Sequence, residues 1–434
     1  MADRQIRLLI YTETYALGGD ARFLVDLVRG LDPDRYSVSF AGNPNAEFDR
    51  WLQEKIPSLP PRHTVPIETL LRSQVLDLGR RLVGSRPAGA ADVWNPPTPD
   101  AWVSPLYRRA SRAAVRYRQA VTNYRRLRIL FGRLRPDVLH INNGGYPGAE
   151  SCRVAALANR AAASAAVVHY VHGYAAPVDW PPSLERALDS RVDRATNVWI
   201  TGAEVGRRQL NEVRGIELDR IRTVPFGQEL GSPDQASRES ARAGFEIPDG
   251  VPVIAIVGGL APYKGHRQLF DAVAKLKASG IQSRTLVAGT GPQEPSLRDR
   301  AERLGIAGDI AFLGWLDDVS AVLDASDVVV QPSENMDLSP YSVREAMAHG
   351  LPVVATAMGG IPELVVHEET GFLVPPSDPG ALAQALQRIL NDPGRAGEMG
   401  SRGRRRIVDH FSMDQMVRAM DSIYVESLDE SRST

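Results

Sequence analysis

The stretch from Gln331 to Gly360, QPSENMDLSPYSVREAMAHGLPVVATAMGG, sets two carboxylates, Asp337 and Glu345, around a Ser-Pro turn that opens a short helix. Pro340 suits a first helical position, where its missing N–H is no loss. The amides of Tyr341 and Ser342 then point out of the helix start. That end carries a partial positive charge of about half a unit and receives anions such as phosphate. Glu345 stands one turn further on, and a carboxylate accepts hydrogen bonds from neighbouring hydroxyls such as those of a ribose. A capped surface helix with a stray glutamate has the same local pattern, so the loops around it must decide.

Those loops carry chemistry too. VGGLAPYKG, 257–265, follows an apolar run. Gly258 and Gly259 let a ligand approach the backbone, and Lys264 supplies a cation suited to a departing diphosphate. The GxxxxGK[ST] spacing of a phosphate-binding Walker loop is absent. Gly291 lies in a second glycine turn, 289–292. Near the N-terminus, Gly18 and Gly19 follow Leu17 and open a helix, which allows approach to phosphate or sugar, although tight turns also use glycine pairs for steric reasons. His172, in VVHYVHGY, sits just past an apolar run, where it can hydrogen-bond a sugar hydroxyl or a carbonyl. His169, three residues earlier, points the other way by strand alternation and reads as structural.

The elements that position these groups alternate. Six strand-like runs between Ile6 and Val224, with helices between them, predict a mostly parallel sheet with right-handed crossovers. Six more runs between Val253 and Val374 repeat the pattern. Helices are predicted at 20–31, 104–134, 149–163 and 203–213, then at 266–279, 294–304, 319–325, 341–349 and 379–390. The proline-rich stretch 85–100 reads as a loop. The fold class is α/β, two doubly wound domains facing a cleft. Residues 1–228 form the first and 251–410 the second, with 229–250 a polar hinge and a last helix within 411–430. In such sheets ligands bind at the carboxyl ends of strands, where every glycine- or charge-rich motif of the second half falls.

Composition sets limits. The 434 residues exceed one ordinary core, and 43% apolar with 24% charged residues is globular. No apolar run spans a membrane, and the opening MADRQIRLLIYTET lacks a signal-peptide pattern. With a single cysteine, Cys152, no intramolecular disulfide forms, and a reducing cytoplasm is the simplest compartment. No sequence-local cluster has zinc-ligand spacing, so no metal site is expected. A net charge of −1 argues against nucleic acid as a partner. One local excess stands out: residues 101–136 hold ten arginines and no Asp or Glu. Such a segment faces either its own fold or an anionic partner.

Together these motifs resemble the retaining GT-B glycosyltransferases of family four, over nearly the whole chain. GGDARFLVDLVRGLDPDRYSVSF at 18–40 is similar to that family's first loop and helix, and VVATAMGGIPELVVHEETGFLVPPSDPGALAQAL at 353–386 to its C-terminal core. The resemblance implies two Rossmann-like domains, a last helix crossing back to the first, and a nucleoside diphosphate sugar as donor, with no metal and no further cofactor. It implies that Glu345 holds the donor ribose. The amides of Leu338, Ser339, Tyr341 and Ser342 hold the diphosphate with Lys264, and His172 contacts the donor sugar. Two positions depart from the family pattern: Asp337 stands where a longer Glu is usual, and Gly259 where an arginine is usual.

The resulting expectation is a metal-independent, retaining hexosyltransferase. Its acceptor is unknown: an anionic or lipid-linked one, or peripheral contact of 101–136 with the inner membrane face, would account for the arginines. A nucleotide-sugar epimerase of the same architecture, or a non-catalytic binding subunit, are the alternatives.

Overall fold

A computed structural model describes residues 4–13, 18–60, 62–68, 105–178, 181–231, 235–335 and 337–433, with the side chains of 105–112 excepted. Leu17 and the proline-rich 85–100 stretch lie outside the described residues, as do the side chains of Arg108, Arg109 and Arg112.

The first seven strands are β1 (Ile6–Thr12), β2 (Tyr36–Gly42), β3 (His63–Thr64), β4 (Val138–Asn143), β5 (Ala166–Val171), β6 (Val198–Thr201) and β7 (Ile221–Thr223). They form one parallel sheet in the order β3-β2-β1-β4-β5-β6-β7. The next six are β8 (Val253–Val257), β9 (Arg284–Ala288), β10 (Ile310–Gly314), β11 (Val328–Gln331), β12 (Val353–Thr356) and β13 (Gly371–Val374). They form a second parallel sheet in the order β10-β9-β8-β11-β12-β13. Helices cover both faces of each sheet, so β4, β5, β11 and β12 are buried at every position. This explains why they read as unbroken apolar runs rather than alternating ones. The order reverses between β1 and β4 in the first sheet and between β8 and β11 in the second. Those are the crevices where doubly wound sheets take ligands.

The polar stretch expected as a hinge contains a helix, Gln235–Gly244. Arg238 and Arg242 on it bond the carbonyls of Ser326 and Ala325, at 2.7 and 3.1 Å, and ion-pair with Asp327, which ties it to the second sheet. The chain instead crosses between sheets at two neighbouring points. Gln228 N–H donates to the Phe411 carbonyl at 2.8 Å, and Gly227 N–H to the Met416 Sδ at 3.0 Å. Beyond the second crossing, the helix Met413–Ser433 returns to the first sheet. Met416, Met420, Tyr424 and Leu428 enter its core, Asp421 accepts from Tyr36 Oη at 2.5 Å, and Tyr424 Oη shares a 2.7 Å hydrogen bond with His140 Nδ1.

Candidate active site

The loops after β8 and β11 meet at the switch point of the second sheet. The first makes one 3-10 turn, Pro262–Lys264, that ends on Gly265 in the left-handed region at φ 74°. A methyl group there would stand 1.8 Å from the Pro332 carbonyl oxygen, so only glycine lets the two loops touch. This contact aims Lys264. Its Nζ lies 2.8 Å from Asp337 Oδ2, which also accepts from Gln331 Nε2 and Ser333 Oγ, each at 2.9 Å. Gln331 Oε1 in turn accepts from Ser342 Oγ at 2.7 Å. Lys264, Asp337 and Ser342 therefore form one network in which Asp337 is buried and Lys264 keeps a fifth of its side chain in solvent.

The helix Tyr341–Ala348 opens beside this network. Pro340 precedes its first residue with extended backbone, and no side chain caps the end, so its leading amides face the crevice. The turn before it is fixed by Arg344, which is fully buried and donates to the Ser339 carbonyl at 2.9 Å and to Ser339 Oγ. Burial lowers the Arg344 pKa to about 10. Its guanidinium stacks on Tyr341 and Phe226 at 4.7 and 4.9 Å. Sequence reading passed over Arg344; its signal was an arginine between Val343 and the apolar Ala346–Met347–Ala348 in the helical run SVREAMA. Leu338 lies against Gly206, and Ser339 against Gly202, both from the first sheet's side.

Glu345, nearly buried, is already engaged: Oε1 accepts from Arg22 Nη1, an arginine of the first domain's helix Gly19–Gly30. Arg22 also lies over the Tyr341 ring at 4.8 Å and 3.9 Å from Asp26, and Asp26 accepts from Tyr341 Oη at 3.2 Å. Gly19 packs against the same ring, with Gly18 exposed beside it. Burial of Asp26 raises its pKa to about 6. The structure thus places a first-domain guanidinium on the carboxylate that sequence reading reserved for a ribose.

His172 extends from the end of β5. Its Nε2 meets Asn142 Oδ1 at the end of β4, and its ring stacks on Tyr170 at 4.2 Å. Phe226 lies 5.3 Å from His172 and 5.1 Å from Tyr341, so an aromatic run joins the two sheets. Burial holds the His172 pKa well below the usual imidazole range. The ring is a neutral hydrogen-bonding group, not a proton carrier, at neutral pH. His169 stacks on Trp199 at 4.4 Å in the opposite layer, as alternation requires. On the second sheet, Gly258 and Gly259 line the rim after β8, and Gly291 packs on the Leu260 carbonyl across from them. Every site residue inferred from sequence thus falls at one of two facing sets of strand ends.

A second contact holds the sheets together. Glu363 accepts from the backbone N–H groups of Glu204 and Val205, both at 2.8 Å. It caps from the second domain the helix Glu204–Arg214, which has no side-chain cap of its own. Loss of such a cap costs about 1 kcal/mol. Glu363→Ala is expected to lower unfolding stability in urea by that order, and an unchanged denaturation midpoint contradicts the capping role. Among the described residues, no group of three or more His, Cys, Asp or Glu side chains is arranged to hold a metal ion.

Two parallel doubly wound sheets with their strand ends facing each other, and a last helix returned to the first, are the GT-B architecture. Residues 237–406 match the family model described as glycosyl transferases group 1. That match lies within the second domain and the helix that precedes its first strand. The 2-deoxystreptamine glucosyltransferase of Streptomyces kanamyceticus is 32% identical over 247 residues, 52% of this chain and 63% of that protein. The D-inositol 3-phosphate glycosyltransferase of Saccharomonospora viridis is 33% identical over 269 residues, 59% of this chain and 62% of that protein. The match therefore spans less than two thirds of either relative's length. Among solved structures, a glycosyltransferase from Rickettsia africae superposes with a TM-score of 0.74 at 17% identity, covering 98% of this chain and 99% of that one. Anabaena HepE in complex with UDP gives 0.72 at 18% identity, over 97% of this chain and 100% of that one.

Proposed function

We propose that this chain transfers a sugar from a nucleoside diphosphate sugar to an acceptor hydroxyl, with retention at the anomeric carbon and without a metal ion or resident cofactor. The observation that carries the reading is the Lys264–Asp337–Ser342 network beside an uncapped helix start at the second sheet's switch point. The donor diphosphate meets the amides of Leu338, Ser339, Tyr341 and Ser342, and Lys264 supplies the cation. The bond from the anomeric carbon to the diphosphate breaks, and the acceptor oxygen bonds that carbon from the same face. The acceptor's proton passes to the departing phosphate oxygen, so no protein base is required. Asp337 holds Lys264 in place and His172 donates to or accepts from the sugar as a neutral ring.

Gly259 leaves the site one cation short of the family pattern. Arg22 is a further cation at the crevice, 44% exposed and held by Glu345. A ribose on Glu345 displaces it, and its freed guanidinium then faces the donor. The names of the two relatives, a glucosyltransferase and a glycosyltransferase, support the class of reaction, and the UDP and UDP-glucose complexes of HepE make uridine nucleotides the first probes. A thermal-shift panel of nucleotides and nucleotide sugars tests the reading. A ligand at 100 times its dissociation constant stabilises by about 2.7 kcal/mol. Absence of a shift with every uridine and guanosine diphosphate sugar overturns it.

A further inference from the structure

The helix Pro105–Leu134 runs thirty residues without one acidic side chain. Its inner face is accounted for: Ala120, Leu127, Leu130 and Phe131 pack into the first domain's core. Arg116 and Arg126, on its flanks, pair with Glu185 and Glu68.

The outer face is different. Arg118, Val121, Arg125, Arg128, Ile129 and Arg133 are all exposed. At 100° per residue these six fall within one arc of about 140°. Val121 is 53% exposed and Ile129 72%, the highest value for any large apolar side chain among the described residues. The four arginines have no carboxylate partner among the described residues. A face that leaves a β-branched aliphatic in water between unpaired guanidinium groups is unfavourable by itself on both counts. One surface offsets both. Anionic headgroups take the arginines, and the boundary beneath them takes the aliphatic side chains. Nucleic acid satisfies only the charges, because base stacking needs aromatic rings and this arc has none.

We propose that the 118–133 face of this helix docks the protein on an anionic lipid bilayer. This is separate from sugar transfer, since none of the helix's described side chains belongs to the site. The two are nevertheless placed together. Arg116 reaches Glu150, which opens the helix following β4, so the basic helix approaches the strand ends that face the cleft. A protein seated on this face holds the first domain's half of the cleft near the membrane surface.

Co-sedimentation of the full chain with vesicles tests this. Phosphatidylcholine vesicles are compared with equimolar phosphatidylcholine and phosphatidylglycerol. Binding only to the anionic vesicles is expected. Each arginine near such a surface is worth about fivefold, or about 1 kcal/mol. Arg118→Gln, Arg125→Gln and Arg128→Gln together are therefore expected to weaken binding by about 10²-fold. Ile129→Ser alone is expected to weaken it about tenfold through lost insertion. These side chains are exposed, so melting temperature and donor binding stay unchanged. Failure to bind anionic vesicles overturns the proposal, and so does binding that the triple variant retains. Equal binding of a single-stranded RNA oligonucleotide, indifferent to Ile129→Ser, overturns it in favour of a polyanion site.

Discussion

Lys264→Ala is expected to lower single-turnover sugar transfer by about 10² to 10³, the usual cost of removing one preorganised donor aimed at developing negative charge. The site is built so that this loss is specific. Asp337 keeps its bonds from Gln331 and Ser333 when the lysine is gone, and the Gly265–Pro332 contact that shapes the loop does not involve the side chain. Folding stability should therefore change little. Affinity for the donor should also change less than the rate. The diphosphate is already charged in the ground state, but the leaving oxygen gains charge only as its bond to the sugar breaks. An interaction that strengthens in the transition state shows in kcat more than in binding. A variant with the full transfer rate removes Lys264 from the mechanism. A variant whose only defect is a raised KM reduces the lysine to a binding group.

The shared edge of Lys264 and Asp337, though not their ion pair, was accessible from sequence because both residues follow short apolar strands, and such strands in a doubly wound sheet bring their trailing loops to one edge. The Arg22–Glu345 pair was not. Its members lie 323 positions apart, and what joins them is how two domains face each other, which no local pattern encodes. Arg22 does stand in the GGDARF run that resembled a family motif, but nothing in that run points at a carboxylate.

Of the helices not predicted, which include Ala46–Lys55 and Pro182–Arg194, two were missed for related reasons. Gln235–Gly244 has no buried residue, so it lacks the apolar stripe that reveals a helix. Its anchors are arginine bonds to carbonyls about 85 positions away. Pro393–His410 carries glycine at 394, 397, 400 and 403, each worth nearly 1 kcal/mol against a helix. Gly400 shows why the fold accepts this: a methyl there would stand 1.7 Å from the Gly350 carbonyl oxygen, so close helix approach requires it. In both cases tertiary contact overrode local propensity.

Acidification is expected to destabilise the fold below about pH 6.5, and four histidines set the sign. His140 and His169 are pushed down to about 3 and His266 to about 4, all by burial, with His172 lowered in the same direction. A depressed histidine is neutral in the folded chain and takes up its proton only on unfolding. Its stabilisation is complete above the unfolded value near 6.5 and is lost as pH falls through that value toward the folded one. Three buried carboxylates oppose this. Desolvation raises Glu13 to about 7 and Asp26 to about 6, and raises Asp20 as well. Such groups bind a proton in the folded chain first, and their contribution grows as pH falls toward their unfolded values near 4. Four histidines against two or three carboxylates leave a net uptake of one to two protons on unfolding. This corresponds to about 1.4–3 kcal/mol of stability lost per pH unit between about pH 6 and 4.5. Urea unfolding at closely spaced pH values measures the slope directly, and stability that stays level or rises over that interval refutes it. His140 bonds Tyr424 of the returning helix, and His172 bonds Asn142 at the cleft, so protonating either ring places a charge where the last helix and the two sheets are joined.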